Sequence, residues 1–318
     1  MSHPVLLTRR LPAPVLQRLR DSVDLELNPH DRPLHREELL AGIRGKKGLL
    51  CLLTDRIDAE VMDAAPELKV ISNYAVGYNN IDLRAARERQ IWVTNTPGVL
   101  TEATAELAMG LLLAVARRLG EGDQLVRSGQ WRGWEPLQLL GKEIHGSTLG
   151  IVGMGRIGKA LARRAAAFGM NIQYWNRTRL PGDIEVEKTW RYRSLPMLLA
   201  SSDVLSLHLA YSAETHHLIN AEALRIMPAG SILINTARGA LIDEAALVEA
   251  LQRGHLGGAG LDVYEDEPRV HPGLRDFPNV LLLPHLGSAT QQTREAMGHL
   301  AVENLLAGIN GVEPTHIV

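Results

Sequence analysis

The chain has 318 residues and a formal net charge of −2, with 34 lysine and arginine residues against 36 aspartate and glutamate residues. This length favours two domains, and the balanced charge gives no electrostatic basis for binding nucleic acid or an anionic membrane. No apolar run approaches the roughly 20 residues of a membrane span, and no signal-peptide pattern opens the chain. The sole cysteine, Cys51, lies in an apolar run typical of a buried strand. We therefore expect a cytoplasmic protein without disulfide bonds.

The first hundred residues alternate short apolar runs with helical patterns. Strands are predicted at residues 5–8, 23–27, 48–53, 68–72 and 91–95. Helices are predicted at residues 14–19, 36–43, 59–65 and 83–89. Alternation of this kind is typical of a parallel sheet that helices cover on both faces.

A turn at Thr96-Pro97-Gly98 is followed by a predicted helix over residues 101–118 that is apolar on nearly every side. A helix of this kind must be buried, and we expect it between domains or between subunits. Residues 129–141 are irregular and contain Trp131 and Trp134. Tryptophans in such a loop indicate an interface, and a small satellite core under the loop is the alternative.

Residues 148–169 give the strand, tight turn and helix of a dinucleotide-binding motif. The turn is Gly153-Met154-Gly155-Arg156-Ile157-Gly158. In this motif Gly153 permits the turn, Gly155 lets a pyrophosphate approach the backbone, and Gly158 lets helix and strand pack closely. The N-terminus of the helix offers unpaired N–H groups to the phosphates. The sequence therefore predicts a nucleotide site here in preference to a purely structural turn.

Six short strands with helical crossovers follow, as in a full doubly wound sheet. They are predicted at residues 149–152, 171–175, 204–208, 231–235, 260–263 and 280–283. A last helix at residues 291–308 returns to the first domain, which is then discontinuous. The predicted fold is α/β with two doubly wound parallel-sheet domains. A Rossmann dinucleotide-binding domain covers residues 99–286, and a smaller flavodoxin-like domain covers residues 1–98 and 287–318.

Side chains suited to anion binding and proton transfer follow three strands of the second domain, where doubly wound folds bind ligands. These side chains are Arg238, Glu267 and His285. An arginine can hold a carboxylate bidentately, and a histidine transfers protons near neutral pH. A carboxylate beside the histidine fixes its tautomer and favours its protonated form. Each residue alone is typical of a structural or solvated side chain, but together and beside a nicotinamide they suit reduction of a 2-oxo acid.

The chain resembles the D-isomer-specific 2-hydroxyacid dehydrogenases over essentially its whole length. The resemblance lies in residues 73–82, 153–158, 235–239, 261–268 and 284–290. The spacings also fit this family, with Glu267 29 residues after Arg238 and His285 18 residues after Glu267. Residues 73–82 and 131–136 are most similar to glyoxylate/hydroxypyruvate reductases. The resemblance implies a discontinuous substrate domain, a cleft between the domains, and a homodimer built through the nucleotide domains.

The resemblance also implies a role for each candidate site residue. Arg238 would bind the substrate carboxylate and carbonyl, His285 would be the acid–base, and Glu267 would be its partner. Backbone N–H groups around Val76 and Gly77 would hold the carboxylate. The full set of predicted substrate contacts is Val76, Gly77, Arg238 and Ser288.

The predicted cofactor contacts extend beyond the glycine-rich turn, and Asp262 among them would orient the nicotinamide. The set comprises Thr104, Gly153, Met154, Gly155, Arg156, Ile157, Gly158, Asn176, Arg177, Thr178, His208, Thr236 and Asp262. No metal site is predicted.

NADPH is the predicted cofactor, with NADH as the weaker alternative. The fingerprint normally places an acidic residue roughly 20 residues beyond the glycines, where it accepts hydrogen bonds from the ribose 2′-OH. Here the strand at residues 171–175 ends in Asn176-Arg177-Thr178-Arg179, without an acid. A guanidinium and a hydroxyl at this position suit a 2′-phosphate.

The leading interpretation is therefore reduction of glyoxylate, hydroxypyruvate or another small 2-oxo acid to the D-2-hydroxy acid. A dinucleotide-sensing corepressor on the same fold is the alternative from another class, and the absence of a low-complexity tail or basic patch argues against it. Phosphite oxidation is a third alternative. Relatives that oxidise phosphite carry a lysine where this chain has Ala75-Val76-Gly77.

Overall fold

The computed structural model describes residues 3–318 and divides the chain into two compact units. Unit 1 comprises Met1–Leu100 and Ser288–Val318, and unit 2 comprises Thr101–Gly287. The chain thus leaves unit 1 once and returns to it once. Within the described residues, no helix combines the length and apolar character needed to cross a membrane.

Strands and helices alternate through most of residues 3–318. Strands β1 to β12 are Pro4–Leu7, Asp24–Leu27, Gly48–Cys51, Val70–Asn73, Trp92–Thr94, Thr148–Val152, Asn171–Trp175, Arg191–Tyr192, Val204–Leu207, Ser231–Asn235, Leu256–Leu261 and Val280–Leu282. Helices α1 to α12 are Ala13–Ser22, Arg36–Gly42, Ala59–Asp63, Leu83–Glu88, Thr101–Ala116, Leu119–Arg127, Arg156–Ala167, Gly182–Lys188, Leu195–Ser201, Ala221–Ile226, Glu244–Gln252 and Gln291–Ile309.

Unit 1 is built on a five-stranded parallel sheet in the order β2-β1-β3-β4-β5. This is the flavodoxin-like order, which confirms the predicted fold class. Two of its helices begin where an aspartate accepts a hydrogen bond from the first turn, Asp58 at α3 and Asp82 at α4. Cys51 is fully buried in β3, as its apolar surroundings predicted.

Helix α12 belongs to unit 1 and packs against β3 and β4. The contact is close because glycines line it: a Cβ atom on Gly308 would lie 2.6 Å from Cβ of Val70, and one on Gly48 would lie 2.8 Å from Leu305. The hydroxyl of Ser72 donates to the carbonyl of Ala301 at 2.8 Å. The last helix therefore completes the core of the first unit.

Unit 2 is built on a seven-stranded parallel sheet in the order β12-β11-β10-β9-β6-β7-β8. Strand order reverses between β6 and β9, and a crevice at such a switch point is where dinucleotides bind in Rossmann folds. The predicted sheet had six strands. The seventh, β8, has two residues and is too short to show a periodic pattern.

Strand β11 begins at Leu256, four residues before the predicted start at residue 260. The sequence pattern did not predict this part of the strand because it contains Gly257 and Gly258, and glycine is depleted from strands in general. The structure requires both glycines. A Cβ on Gly257 would lie 2.6 Å from the carbonyl oxygen of Gly230, and one on Gly258 would lie 2.5 Å from that of Asn279.

The burial of helix α5 between domains or subunits stays a prediction, and within unit 2 this helix leaves Glu102, Glu106 and Gly110 exposed. It packs against α7 and against β10 and β11, and Leu111 and Leu112 are at most 1% exposed. The predicted helix ends early because Arg118 takes a left-handed conformation, after which α6 begins at Leu119. The following loop has neither helix nor strand, as predicted, and leaves Trp134 82% exposed.

Candidate active site

Glycine is required or favoured for a different geometric reason at each of the three glycine positions in the turn after β6. Gly153 has φ +101°, and a Cβ there would lie 2.6 Å from the carbonyl oxygen of His208. A Cβ on Gly158 would lie 2.2 Å from the carbonyl oxygen of Gly153. A Cβ on Gly155, in contrast, would meet nothing within 4 Å. Open space beside Gly155 leaves the backbone accessible to a pyrophosphate at the N-terminus of α7.

Two further features of unit 2 fit a dinucleotide. The N–H of Met154 donates to Oδ1 of Asn176 at 3.1 Å, so that the end of β7 holds the glycine-rich turn. The hydroxyl of Thr236 is buried without a hydrogen-bond partner in residues 3–318. A buried polar atom of this kind is costly unless a ligand or water satisfies it. The residues present therefore fit a dinucleotide cofactor.

His208 follows β9, at the switch point of the sheet. It is half-buried, and its Nε2 lies 2.8 Å from the hydroxyl of Ser206. Burial lowers the pKa of His208 to about 4. The imidazole is therefore neutral at neutral pH, and its predicted contact with the cofactor would be that of an uncharged group.

The segment after β7 carries the residues predicted to select the cofactor. Arg177 and Thr178 are exposed. The guanidinium of Arg179 instead binds the carboxylate of Glu185, with its closest N···O distance 2.6 Å. Glu185 also accepts the hydroxyl of Tyr174 at 2.5 Å. Of the two arginines in this segment, Arg179 is therefore paired within unit 2, and Arg177 is exposed.

Arg238 lies in a turn after β10 that the side chain of Asn235 holds. Nδ2 of Asn235 donates to the carbonyl of Arg238 at 2.8 Å, and its Oδ1 accepts the N–H of Ala237 at 3.0 Å. A Cβ on Gly239 would lie 1.8 Å from the carbonyl carbon of Tyr264, so the turn presses against the segment that leads to Glu267. Burial lowers the pKa of Arg238, and the charge of Glu267 opposes that shift. The guanidinium remains a cation at neutral pH.

Glu267 and His285 form a hydrogen-bonded pair, with 2.9 Å between Oε2 and Nδ1. The other carboxylate oxygen accepts the N–H of Tyr264 at 3.1 Å. Burial raises the pKa of Glu267, but the hydrogen bond and charge of His285, together with Arg238, bring that pKa below its ordinary value. An ionised Glu267 fixes the ring proton on Nδ1 of His285. Nε2 is then the nitrogen left for a substrate.

Asp262 holds the turn that carries His285. Its two carboxylate oxygens accept the N–H groups of Leu286 at 2.6 Å and Gly287 at 2.8 Å, and its carbonyl accepts the N–H of His285 at 2.9 Å. His285 has φ +57°, a conformation that non-glycine residues rarely adopt without such support. Burial raises the pKa of Asp262, and these hydrogen bonds and the charge of His285 partly oppose that rise. The hydroxyl of Thr104 donates to the carbonyl of Gly287 at 3.0 Å and supports the same turn.

The structure brings Arg238, Glu267 and His285 together at the carboxyl ends of the neighbouring strands β10, β11 and β12. Val76, Gly77 and Ser288, the other predicted substrate contacts, belong to unit 1 and are half-buried there. The sequence analysis did not single out Asn235. The signal that could have found it is an asparagine at the last position of a buried strand, since asparagine side chains commonly bond the backbone of the turn that follows.

Comparison with known proteins gives consistent matches. A family model described as D-isomer specific 2-hydroxyacid dehydrogenase, NAD binding domain, matches residues 109–287. A glyoxylate reductase of Thermococcus onnurineus is 48% identical over 322 residues, which cover 100% of this chain and 96% of that protein. The crystal structure of a Thermus thermophilus protein is similar with a TM-score of 0.92 and 53% identity, covering 99% of both chains. An NADPH-dependent glyoxylate/hydroxypyruvate reductase from Sinorhizobium meliloti, solved with NADP and malonate, has a TM-score of 0.88 at 38% identity and covers 100% of this chain and 97% of its own.

Proposed function

This chain belongs to the D-isomer-specific 2-hydroxyacid dehydrogenase family, and we propose that it reduces glyoxylate and hydroxypyruvate to the D-2-hydroxy acids with NADPH. The observation that carries the proposal is the hydrogen-bonded pair of His285 and Glu267, 2.9 Å long, together with the charge of Arg238 acting on Glu267. Full-length similarity to glyoxylate reductases supports the choice of substrate.

The residues of unit 2 divide the reaction between them. The nicotinamide, when bound, supplies the hydride that reduces the carbonyl carbon. Arg238 binds the carboxylate and carbonyl of the acid and stabilises the charge that develops on the carbonyl oxygen. Nε2 of His285 donates the proton to that oxygen. Glu267 keeps the ring in the orientation and tautomer that this transfer needs.

The pH dependence of reduction tests the part of Glu267. The pKa of Glu267 is lowered from 4.5, so its carboxylate contributes stability that is present above the carboxyl's ordinary pKa and is lost as pH falls through the folded value. At neutral pH the carboxylate is therefore ionised and places a negative charge beside the ring of His285. In Glu267→Gln this charge is absent, and we expect the alkaline decline of reductive kcat/KM to move to lower pH by about one unit. The measurement is kcat/KM against pH, and superimposable profiles would contradict the role.

NADPH is proposed as the preferred reductant on the composition of the segment after β7. No acid stands between residues 176 and 179 to accept from a ribose 2′-OH or to repel a 2′-phosphate. Arg177 and Thr178 are exposed and offer a guanidinium and a hydroxyl. The NADP complex of the Sinorhizobium meliloti reductase is additional support from a relative.

A panel of 2-oxo acids assayed with NADPH and NADH tests the proposed reaction. The absorbance of the reduced nicotinamide measures the rate of each reaction. We expect the highest kcat/KM for glyoxylate or hydroxypyruvate with NADPH. Pyruvate and phenylpyruvate serve as controls of increasing size. More efficient reduction of phenylpyruvate than of hydroxypyruvate would contradict the preference for small acids.

A homodimer is the proposed assembly. Large apolar side chains remain exposed on α6 and the loop after it, as is typical of interfaces. They are Leu119, Val126, Trp131, Trp134, Leu137 and Leu140. A monomer in analytical ultracentrifugation would contradict this assembly. The cytoplasmic location stays a prediction from composition.

A further inference from the structure

Three consecutive backbone carbonyl groups in the loop after β4 each accept a hydrogen bond. The three donors are a backbone N–H and two asparagine side-chain amides, all within unit 1. The bonds run from Thr96 N to Ala75 O at 2.9 Å, from Asn95 Nδ2 to Val76 O at 2.8 Å, and from Asn73 Nδ2 to Gly77 O at 2.8 Å.

Fixing these carbonyls also fixes the direction of the N–H groups that follow them. In a trans peptide the C=O of one residue and the N–H of the next point in opposite directions, and the peptide bonds here are trans. The N–H groups of Val76, Gly77 and Tyr78 are thereby oriented, and none of them donates to another residue in the described part of the chain. A run of such N–H groups is a backbone anion-binding arrangement.

Both asparagine side chains are held firmly in place. Asn73 is fully buried, and its side-chain amide forms mutual hydrogen bonds with that of Asn80. Nδ2 of Asn80 in turn donates to the carbonyls of Leu52 and Asp55, each at 3.1 Å. Asn95 is 8% exposed, and its own carbonyl accepts from the side chain of Asn304 in α12. Asn73 is therefore fixed through Asn80 from the loop after β3, and Asn95 is fixed by the last helix.

We propose that Asn73 and Asn95 are positioning residues that aim the N–H groups of Gly77 and Tyr78 at the carboxylate of the substrate. This inference rests on the proposed function for the identity of the anion. Residues 75–78 carry no cation, so the loop would recognise a carboxylate through oriented peptide dipoles alone. Recognition of that kind depends on direction more than on charge, and loss of one asparagine amide frees one peptide group to rotate.

The test uses Asn73→Ala, the milder Asn73→Ser, and Asn95→Ala in the whole protein with NADPH present. Oxalate serves as the carboxylate probe, with its Kd measured by calorimetry. We expect its Kd and the KM for glyoxylate to rise about tenfold or more, because a hydrogen bond to a charged group is misaligned. The affinity for NADPH and the kcat at saturating glyoxylate should stay within about twofold.

Asn28→Ala is the matched control. Asn28 is 5% exposed in the same unit, and its Nδ2 bridges two carbonyls, those of Thr8 and Arg32, at 2.8 Å each. Its loss should lower Tm as the loss of Asn73 does, and should leave oxalate binding unchanged. An equal loss of oxalate binding in Asn28→Ala would overturn the inference, since the effect would then be general loosening of unit 1.

The remaining outcomes separate this inference from the proposed function. If wild-type protein reduces glyoxylate and the folded asparagine variants keep oxalate affinity within about twofold, the inference is wrong and the function stands. If wild-type protein binds oxalate, the variants lose it and no 2-oxo acid is reduced, the inference stands and the function is wrong. Failure of the wild-type protein to bind oxalate would also overturn the inference.

Discussion

Replacement of His285 by alanine is expected to lower the kcat for glyoxylate reduction about 100-fold or more, which is the usual contribution of a positioned general acid. The imidazole is the group that gives a proton to the carbonyl oxygen as hydride arrives, and alanine leaves only water for that task. The KM for NADPH should change little, because the glycine-rich turn and the segment after β7 are untouched. Steady-state kinetics with folded protein, checked by thermal melting, is the measurement.

His217→Ala is the matched control for this variant. Nε2 of His217 lies 2.5 Å from Oε1 of Glu265, two residues before Glu267. The His217→Ala variant therefore also removes a histidine from a histidine–glutamate pair in the same unit. We expect its kcat to stay within about twofold of wild type, because this pair lies outside the set of strand-end residues that acts on the substrate. Near-normal turnover by His285→Ala would remove His285 from the mechanism.

Replacement of Arg177 by alanine is expected to reduce kcat/KM with NADPH by about 10- to 100-fold, in line with the loss of a charge-assisted bond to a phosphate. With NADH the same variant should stay close to wild type, since NADH has no 2′-phosphate to lose. The measurement is kcat/KM for both cofactors at saturating glyoxylate.

Arg179→Ala provides the comparison. The Arg179 guanidinium lowers the pKa of the Glu185 carboxyl through their hydrogen bond, and its loss removes a partner from that carboxylate. We therefore expect Arg179→Ala to lower Tm and to leave kcat/KM with NADPH close to that of wild type. A wild-type kcat/KM that is higher with NADH than with NADPH would contradict the reading of residues 176–179 altogether.

Much of the fold and the principal site residues could be predicted because their signals are local. The glycine-rich turn lies between an apolar run and a helical pattern, and Arg238, Glu267 and His285 each lie a few residues after a predicted strand. The parallel sheets with helical crossovers followed from the alternation of strand and helix patterns. These features need no knowledge of distant contacts.

The parts that the sequence analysis missed depend on neighbours far along the chain. Strand β11 begins in glycines that are needed only because Gly230 and Asn279 come close to them. Asp262 was predicted as a nicotinamide contact, and its observed bonds to the turn at Leu286 and Gly287 link positions 24 and 25 residues apart. Its contact with the nicotinamide stays a prediction. Hydrophobic periodicity reports one element at a time and carries no signal for such pairings.

The discontinuity of unit 1 has a consequence for the order in which the protein is made. Residues up to Leu100 leave the ribosome before unit 2, but the surface of β3 and β4 that receives α12 stays uncovered until residues 291–309 have been synthesised. Unit 2 is continuous and has all of its residues by Gly287. Domains generally fold as units during synthesis, so the unit that emerges first is the one that finishes last. In the interval the growing chain carries an incomplete apolar core in unit 1, and synthesis of α12 is what completes it.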